Sequence, residues 1–271
     1  MKVKEFYSNI KQTYLNGKHC VLTNSDVKAV FDFFYGRDFA AQENEVDKKT
    51  AAKINKIINR RIKTSEPIYS IIGYAPFYGR FFKTKRNVLK PRLDTEVALA
   101  EALKVVNKNS RVLDLCTGTG ILGLTINLET GANVVCADIS PVAVRLAKQN
   151  AKLLGAQAKI IKSDMFSATQ GKFDVIVSNP PYIASANINN LEDEVKKFDP
   201  RLALDGGNDG MKFYNIIRRE FLNYLNPNGV LILEMSSQLA TSIETLFKPY
   251  ETKIVKDFEG RNRVAVIKIK E

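Results

Sequence analysis

Apolar side chains recur three and four positions apart from about residue 3 to residue 63, as at Val27, Val30, Phe31 and Phe34, which is the period of an amphipathic helix. Ser25-Asp26 stands where an N-cap belongs and Gly36 where a helix stops. Residues 1–65 are therefore expected to form a small helical bundle. Between residues 66 and 90 the rhythm shortens: Ile71, Ile72, Tyr74, Phe77, Tyr78, Phe81 and Phe82 cluster around Gly73 and Gly79, the pattern of short strands in a connecting β-hairpin. From residue 91 to residue 271 strands alternate with helices, the sign of a mainly parallel sheet covered on both faces. The expected strands are 111–115, 133–137, 159–162, 173–178, 229–234, 252–257 and 263–269, with helices near 95–106, 120–129, 141–154, 210–225 and 237–248. The last two strands have no helix between them, so they should pair antiparallel at one edge.

Composition narrows the class of protein. A chain of 271 residues with 45% hydrophobic content can bury a full α/β core and a second small domain. No run approaches the roughly 20 apolar residues that span a bilayer, and Met1-Lys2-Val3-Lys4-Glu5 leads into no apolar signal core. A soluble cytoplasmic protein without membrane contact is expected. Cys20, Cys116 and Cys136 are far apart and His19 is the only histidine, which argues against a disulfide framework and against a metal site. The formal charge is +12, but residues 1–90 hold 18 Lys and Arg against 8 Asp and Glu, so nearly all of the excess lies there. Such a surface is suited to an anionic partner or is simply solvated.

Candidate chemistry begins at the strand Val112-Leu113-Asp114-Leu115, which runs into Cys116-Thr117-Gly118-Thr119-Gly120. Glycines in a strand-to-helix turn let backbone approach a ligand and adopt positive φ. The spacing of Gly118, Gly120 and Gly123 fits a dinucleotide fingerprint as well, so the turn alone does not name the ligand. Asp138 ends the next strand about twenty residues later, where a carboxylate accepts from both hydroxyls of a ribose. Asp164 follows the third strand, so the glycine turn, Asp138 and Asp164 stand in register after three consecutive strands.

The segment that chooses among nucleoside-binding proteins is Asn179-Pro180-Pro181-Tyr182, directly after the apolar strand 173–178. An amide or aromatic amino nitrogen is a poor nucleophile because its lone pair is delocalised. Acceptors at both of its N–H groups, the Asn179 side-chain oxygen and the Pro180 carbonyl, fix the nitrogen and aim the lone pair. Prolines hold those carbonyls rigidly and Tyr182 offers a flat face. Orientation of this kind is worth about 7 to 11 kcal/mol in favourable systems.

Together these motifs resemble the protein N(5)-glutamine methyltransferases of peptide chain release factors. Further matches are Glu66-Pro67-Ile68, Gly73-Tyr74, Phe77-Tyr78-Gly79 and Val88-Leu89-Lys90-Pro91-Arg92-Leu93-Asp94-Thr95-Glu96. Others follow at Asp199-Pro200-Arg201 through Asp205-Gly206-Gly207 to Asp209-Gly210, and around Gly260 and Arg263. The similarity runs over roughly residues 55–270, with Cys116 in place of a usual glycine and Leu93 in place of a common proline. It implies a seven-stranded Rossmann-like methyltransferase sheet with S-adenosylmethionine as cofactor, held by Cys116, Thr117, Gly118, Thr119, Gly120, Asp138, Asp164, Phe166 and Asn179. Asp164 then meets the adenine amino group, with its apolar neighbour on the ring. The glutamine of a release factor's Gly-Gly-Gln motif meets Asn179, Pro180, Pro181 and Tyr182. The Asp94-Thr95-Glu96 stretch is assigned a structural role at the start of a helix. The alternative acceptor is a nucleic acid, at adenine N6 or guanine N2, since such enzymes use a similar segment and the first 90 residues are basic.

Overall fold

The computed structural model describes residues 1–15 and 21–269, so His19 and Cys20 lie outside the described residues. The chain divides into two compact units, residues 1–74 and 75–271.

The first unit packs α1 (Val3–Leu15), α2 (Asn24–Tyr35), α3 (Lys48–Thr64) and the short α4 (Ile68–Ile72). Their apolar faces meet in a core that includes Val3, Phe6, Val27, Phe31, Ile54 and Ile58. The cap of α2 is Thr23 rather than Ser25: the Thr23 hydroxyl accepts from Asp26 N and the Asp26 carboxylate accepts from Thr23 N, a reciprocal box that places Ser25 inside the helix. Gly36 ends α2 at φ 85° as expected. Within this unit Arg61 meets Asp26 at 3.2 Å, both nearly buried. Residues 68–72, expected within the strand-rich segment, form α4 and stop at Gly73 in the left-handed conformation.

The boundary falls within β1 (Tyr74–Phe77), which pairs with β2 (Arg80–Lys83) in a two-stranded hairpin, and the second unit continues with α5 (Thr95–Leu103). The seven strands β3 (Arg111–Leu115), β4 (Asn133–Asp138), β5 (Ala158–Lys162), β6 (Phe173–Ser178), β7 (Leu225–Glu234), β8 (Glu251–Lys256) and β9 (Asn262–Lys268) make one sheet in the order β5-β4-β3-β6-β7-β9-β8. The first five run parallel, and β9 is antiparallel to both β7 and β8. Period-two alternation fills both faces. Val175, Val177, Val230 and Ile232 point into one apolar cluster, while Ile176, Leu231 and Leu233 point into the other. The helices α6 (Ile121–Thr130) and α7 (Pro141–Leu154) join the first layer, and α9 (Lys212–Tyr224) and α10 (Ala240–Leu246) the second. A further helix, α8 (Asp193–Phe198), sits between two 3-10 turns in 185–203, a segment for which the hydrophobic pattern gave no element.

Strand order reverses between β3 and β6, and in an open α/β sheet ligands sit beyond the carboxyl ends of the strands at such a switch point. The loops leaving those two strands carry Cys116–Gly120 and Asn179–Tyr182.

Candidate functional site

A cavity of about 310 Å³ opens at that switch point, inside the range of about 300 to 1,000 Å³ usual for ligand pockets. Its floor is the turn after β3. Cys116 and Gly118 take φ of 59° and 58°, and Gly120 caps α6 at φ 87°. A left-handed backbone costs a side chain about 1 to 2 kcal/mol, which is why a glycine suits position 116 better than the cysteine found there. Gly123 is required for another reason: a Cβ there would stand 2.5 Å from Cys136 Sγ and 2.9 Å from Asp114 Oδ2. That carboxylate oxygen accepts from Gly123 N at 2.8 Å and from the Thr117 hydroxyl, tying strand, turn and helix together. Burial pushes the Asp114 carboxyl up to about 7 against these hydrogen bonds.

Asp138, at the end of β4, accepts from Gly118 N at 2.9 Å with one oxygen and from Ser140 N at 2.8 Å with the other. Burial raises its pKa while the two N–H donors lower it. Both contacts aim the carboxylate at the cavity, which it lines together with Cys116, Thr117, Gly118, Thr119, Asp164 and Asn179. Gly120 is off the lining and serves the backbone turn. Phe166 departs from expectation: it is fully buried, stacked on Tyr224 with centroids 4.7 Å apart, and Met165 takes its place in the cavity wall. Met165 has φ 45°, and this turn after β5 moves the apolar residue that faces the cavity by one position. The opposite wall comes from residues no sequence pattern pointed to, among them Lys212, Phe213 and Ile216 of α9.

Asn179 also lines a second cavity of about 130 Å³ with Tyr182, Ile183, Leu191 and Ala203. Asn179 is thus shared by both cavities, whereas Tyr182 belongs to the second and Pro180 is buried beside the strand end. The Asn179 amide donates from Nδ2 to Thr95 Oγ1 at 3.3 Å. The backbone after Tyr182 is pinned by a far loop: Ile183 N donates to Leu204 O and Gly206 N donates to Ile183 O. A Cβ on Gly206 would stand 2.8 Å from Tyr182 Cα, and one on Gly210 would stand 2.5 Å from Tyr182 O. The glycines of 206–210 are therefore what lets this loop lie against Pro181 and Tyr182. Asp199, nearly buried, receives Lys90 at 2.6 Å and Arg92 at 2.8 Å, which clasps the segment before α5 to the same loop. Arg263 joins Asp94 and Asp257, each at 3.1 Å.

Comparison with known proteins follows the same outline. The family model described as Methyltransferase small domain matches residues 88–202. The chain is 35% identical to the release factor glutamine methyltransferase of Clostridium acetobutylicum over 98% of each chain. It is 38% identical to that of Rhodospirillum rubrum over 84% of this chain and 72% of the other. The chain belongs to the release factor glutamine methyltransferase family. The ribosomal protein L11 methylase of Lactobacillus delbrueckii subsp. bulgaricus shares the fold, with a TM-score of 0.52 and 20% identity over 73% of this chain and 90% of that one. As a member of the release factor glutamine methyltransferase family, the chain is an S-adenosylmethionine-dependent methyltransferase. No helix among the described residues is long and apolar enough to cross a membrane.

Proposed function

We propose that this enzyme methylates the side-chain amide nitrogen of the glutamine in the Gly-Gly-Gln motif of release factors. S-adenosylmethionine-dependent methylation of release factors is the activity that its family membership carries. The observation that supports the acceptor assignment is the position and polarity of Asn179. It stands in the wall between the two cavities, and its Nδ2 is already committed to Thr95, which leaves Oδ1 as an acceptor.

The residues present suit the cofactor. The Asp138 carboxylate, held by two backbone N–H groups, would accept from the ribose hydroxyls. Asp164 and Met165, both in the cavity wall, would meet the adenine amino group and ring, and the strained Cys116–Gly118 turn would bring backbone close to the remainder. S-adenosylmethionine supplies a methyl group activated by its sulfonium. In the proposed step Asn179 Oδ1 and the Pro180 carbonyl accept from the two N–H groups of the acceptor amide and turn its lone pair toward that methyl. Tyr182 lies against the amide plane. The nitrogen forms one bond to carbon as the carbon–sulfur bond breaks, and one N–H proton then leaves to water. Burial and the Glu234 carboxylate push the Tyr182 hydroxyl up to about 12, so it stays neutral and serves as a wall rather than a base.

The test is mass spectrometry after incubation with labelled cofactor, offering release factor, release factor with the Gly-Gly-Gln glutamine replaced by alanine, DNA and RNA. Label on the intact release factor alone is expected. Label on the alanine variant at unchanged level, or on nucleic acid in preference, overturns the assignment.

A further inference from the structure

We propose that Leu93, Leu202 and Phe258 form an apolar rim beside the acceptor end of the site, and that this rim docks the folded release factor around its glutamine. The inference rests on the reading of the Asn179 end as the acceptor end, and extends it to the surface that holds the protein substrate there.

Among the described residues these are the three most exposed of the large apolar side chains, at 98% for Phe258, 72% for Leu93 and 56% for Leu202. A single exposed leucine needs no explanation, but three such side chains on joined segments mark a contact surface. The joining is ionic. One nitrogen of the Arg263 guanidinium meets both Asp257 and Asp94 at 3.1 Å, which ties the turn between β8 and β9 to the segment before α5. Two residues before Asp94, Arg92 meets Asp199 at 2.8 Å and ties that segment to the loop carrying Leu202. Leu93 stands between the two ties. Leu202 lines the larger cavity, while Arg92 and Ala203 line both, so the rim runs into the cavities on either side of Asn179.

Each of the three side chains is carried on fixed backbone. Around Phe258 the Asp257 carboxylate accepts from Glu259 N and Arg261 N, both at 3.0 Å, and Gly260 closes the turn at φ 79°. The Leu93 carbonyl accepts from Glu96 N at 2.9 Å. Leu202 sits in a 3-10 turn closed by Ala203 N donating to Pro200 O at 2.9 Å. Side chains held this way lose little freedom on binding, and a buried aromatic anchor is the kind of residue that dominates a protein interface.

Charge favours a protein over a nucleic acid as the occupant. Residues 90–94, 199–205 and 257–263 together hold five Lys and Arg against five Asp and Glu. Each arginine among them lies against a carboxylate: Arg92 on Asp199, Arg201 on Asp205, Arg261 on Asp257 and Arg263 on Asp94. A phosphate backbone is gripped by uncompensated positive charge, which this rim does not offer.

The experiment compares Leu93→Ser, Phe258→Ser and the double variant with Leu153→Ser, a control on α7 whose side chain is 47% exposed. Phe258→Ser should raise KM for intact release factor about 10-fold, and the double variant should raise it further. Their kcat, their cofactor affinity and their turnover of a short Gly-Gly-Gln peptide should match wild type, as should every property of Leu153→Ser. The loss should persist at high salt, because apolar burial is not screened as charge is. A second readout uses the absence of tryptophan from the chain. The emission of Phe258→Trp, taken as a difference from wild-type enzyme in the same mixture, should shift to the blue with release factor and stay unchanged with single-stranded DNA.

A double variant with wild-type KM for release factor overturns the rim, and so does an emission that release factor leaves unmoved or that only DNA shifts. An equal loss on the short peptide overturns it too, since it would place these residues in the chemistry rather than in docking. Asn179→Ala separates the two levels of inference. If it is slow while the double variant behaves as wild type, only the rim fails. If nucleic acid is methylated and release factor is not, the acceptor reading fails and the rim with it.

Discussion

At the cofactor end of the site, the side-chain contacts that shape the wall close over short stretches of chain: Thr117 to Asp114 over 3 residues, Gly123 to Asp114 over 9 and Gly118 to Asp138 over 20. At the acceptor end the spans are 84 for Asn179 to Thr95, 107 for Arg92 to Asp199 and 109 for Lys90 to Asp199. One end is a turn that its own glycines and strand ends define. The other is a frame of charged and polar side chains assembled from distant segments. Long-span contacts carry a larger loop-closure cost, so the acceptor end depends on the rest of the fold being in place. Under the proposed assignment the contrast has a chemical reason: a nucleoside would be met by backbone and fixed carboxylates, while a weak nucleophile would need its orienting groups fixed by the fold around it.

Each end buries one carboxyl pushed up to about 7, Asp114 and Glu234, both 1% exposed. Their folded pKa values lie above the unfolded ones near 4, so the folded chain holds protons that the unfolded chain has lost. The stability this represents is complete below about pH 4 and is lost as pH rises through about 7. At about 1.4 kcal/mol per unit, each group should contribute roughly 4 kcal/mol across that window. Denaturant unfolding without ligand should show stability climbing from pH 8 to pH 5. Asp114→Asn and Glu234→Gln should each remove about half of the slope, one from each end. A slope untouched by either variant would mean that the buried acids are stabilised as charges, and the contrast between Asp114, held by hydrogen bonds, and Glu234, whose Oε2 is buried without a hydrogen-bond partner, would lose its force.

Next in size is the effect of Asn179→Ala on chemistry. Losing the group that orients the acceptor should lower kcat by at least about 100-fold. Cofactor affinity should change far less, although Asn179 touches both cavities. Single-turnover rates within a few-fold of wild type would show that orientation comes from elsewhere in the frame. The mirror experiment is Asp138→Ala, which removes a charged acceptor from the other end. It should weaken S-adenosylmethionine binding about 10- to 100-fold by calorimetry, with little change in rate at saturating cofactor. An unchanged binding isotherm would take Asp138 out of the nucleoside site.

The same division explains what could be read from the sequence. Strands such as Arg111–Leu115 and Phe173–Ser178 were legible to the residue because both faces are buried and the apolar run is bounded by turn residues. The glycine turn and the strand end at Asp138 were legible because the contacts that fold them are local. Ile68–Ile72 was not, because five residues are too few for an apolar run to display a helical period. The family resemblance points to Phe166, yet the left-handed turn at Met165 puts Met165 in the cavity wall and buries Phe166 against Tyr224. Thr95 was read as part of a helix start, and Glu234 as an ordinary strand end. Thr95 meets Asn179 across 84 residues, and no spacing along the chain records that meeting.

The smallest effect concerns what lies beyond the cavity wall. A cofactor is recognised entirely within its pocket, but a single glutamine side chain offers too little surface to select one protein from others. The acceptor end should therefore draw on a second surface, and the excess of positive charge before residue 91 is the candidate. On α3, Lys48, Lys49, Lys53 and Lys56 are all exposed. Exposed charges raise association rates more than they hold complexes together, and salt screens them with a Debye length near 8 Å at about 0.15 M. Replacing the four lysines by glutamine should raise KM for the intact release factor several-fold at low salt and leave kcat and cofactor affinity unchanged. Added salt should bring wild type toward the variant while scarcely moving the variant itself. A short peptide carrying Gly-Gly-Gln, which is too small to reach a second surface, should be turned over equally by both enzymes. If the variant keeps full kcat/KM on the protein acceptor at low salt, these lysines only solvate the helix, and the selectivity of the acceptor end must reside in the frame around Asn179.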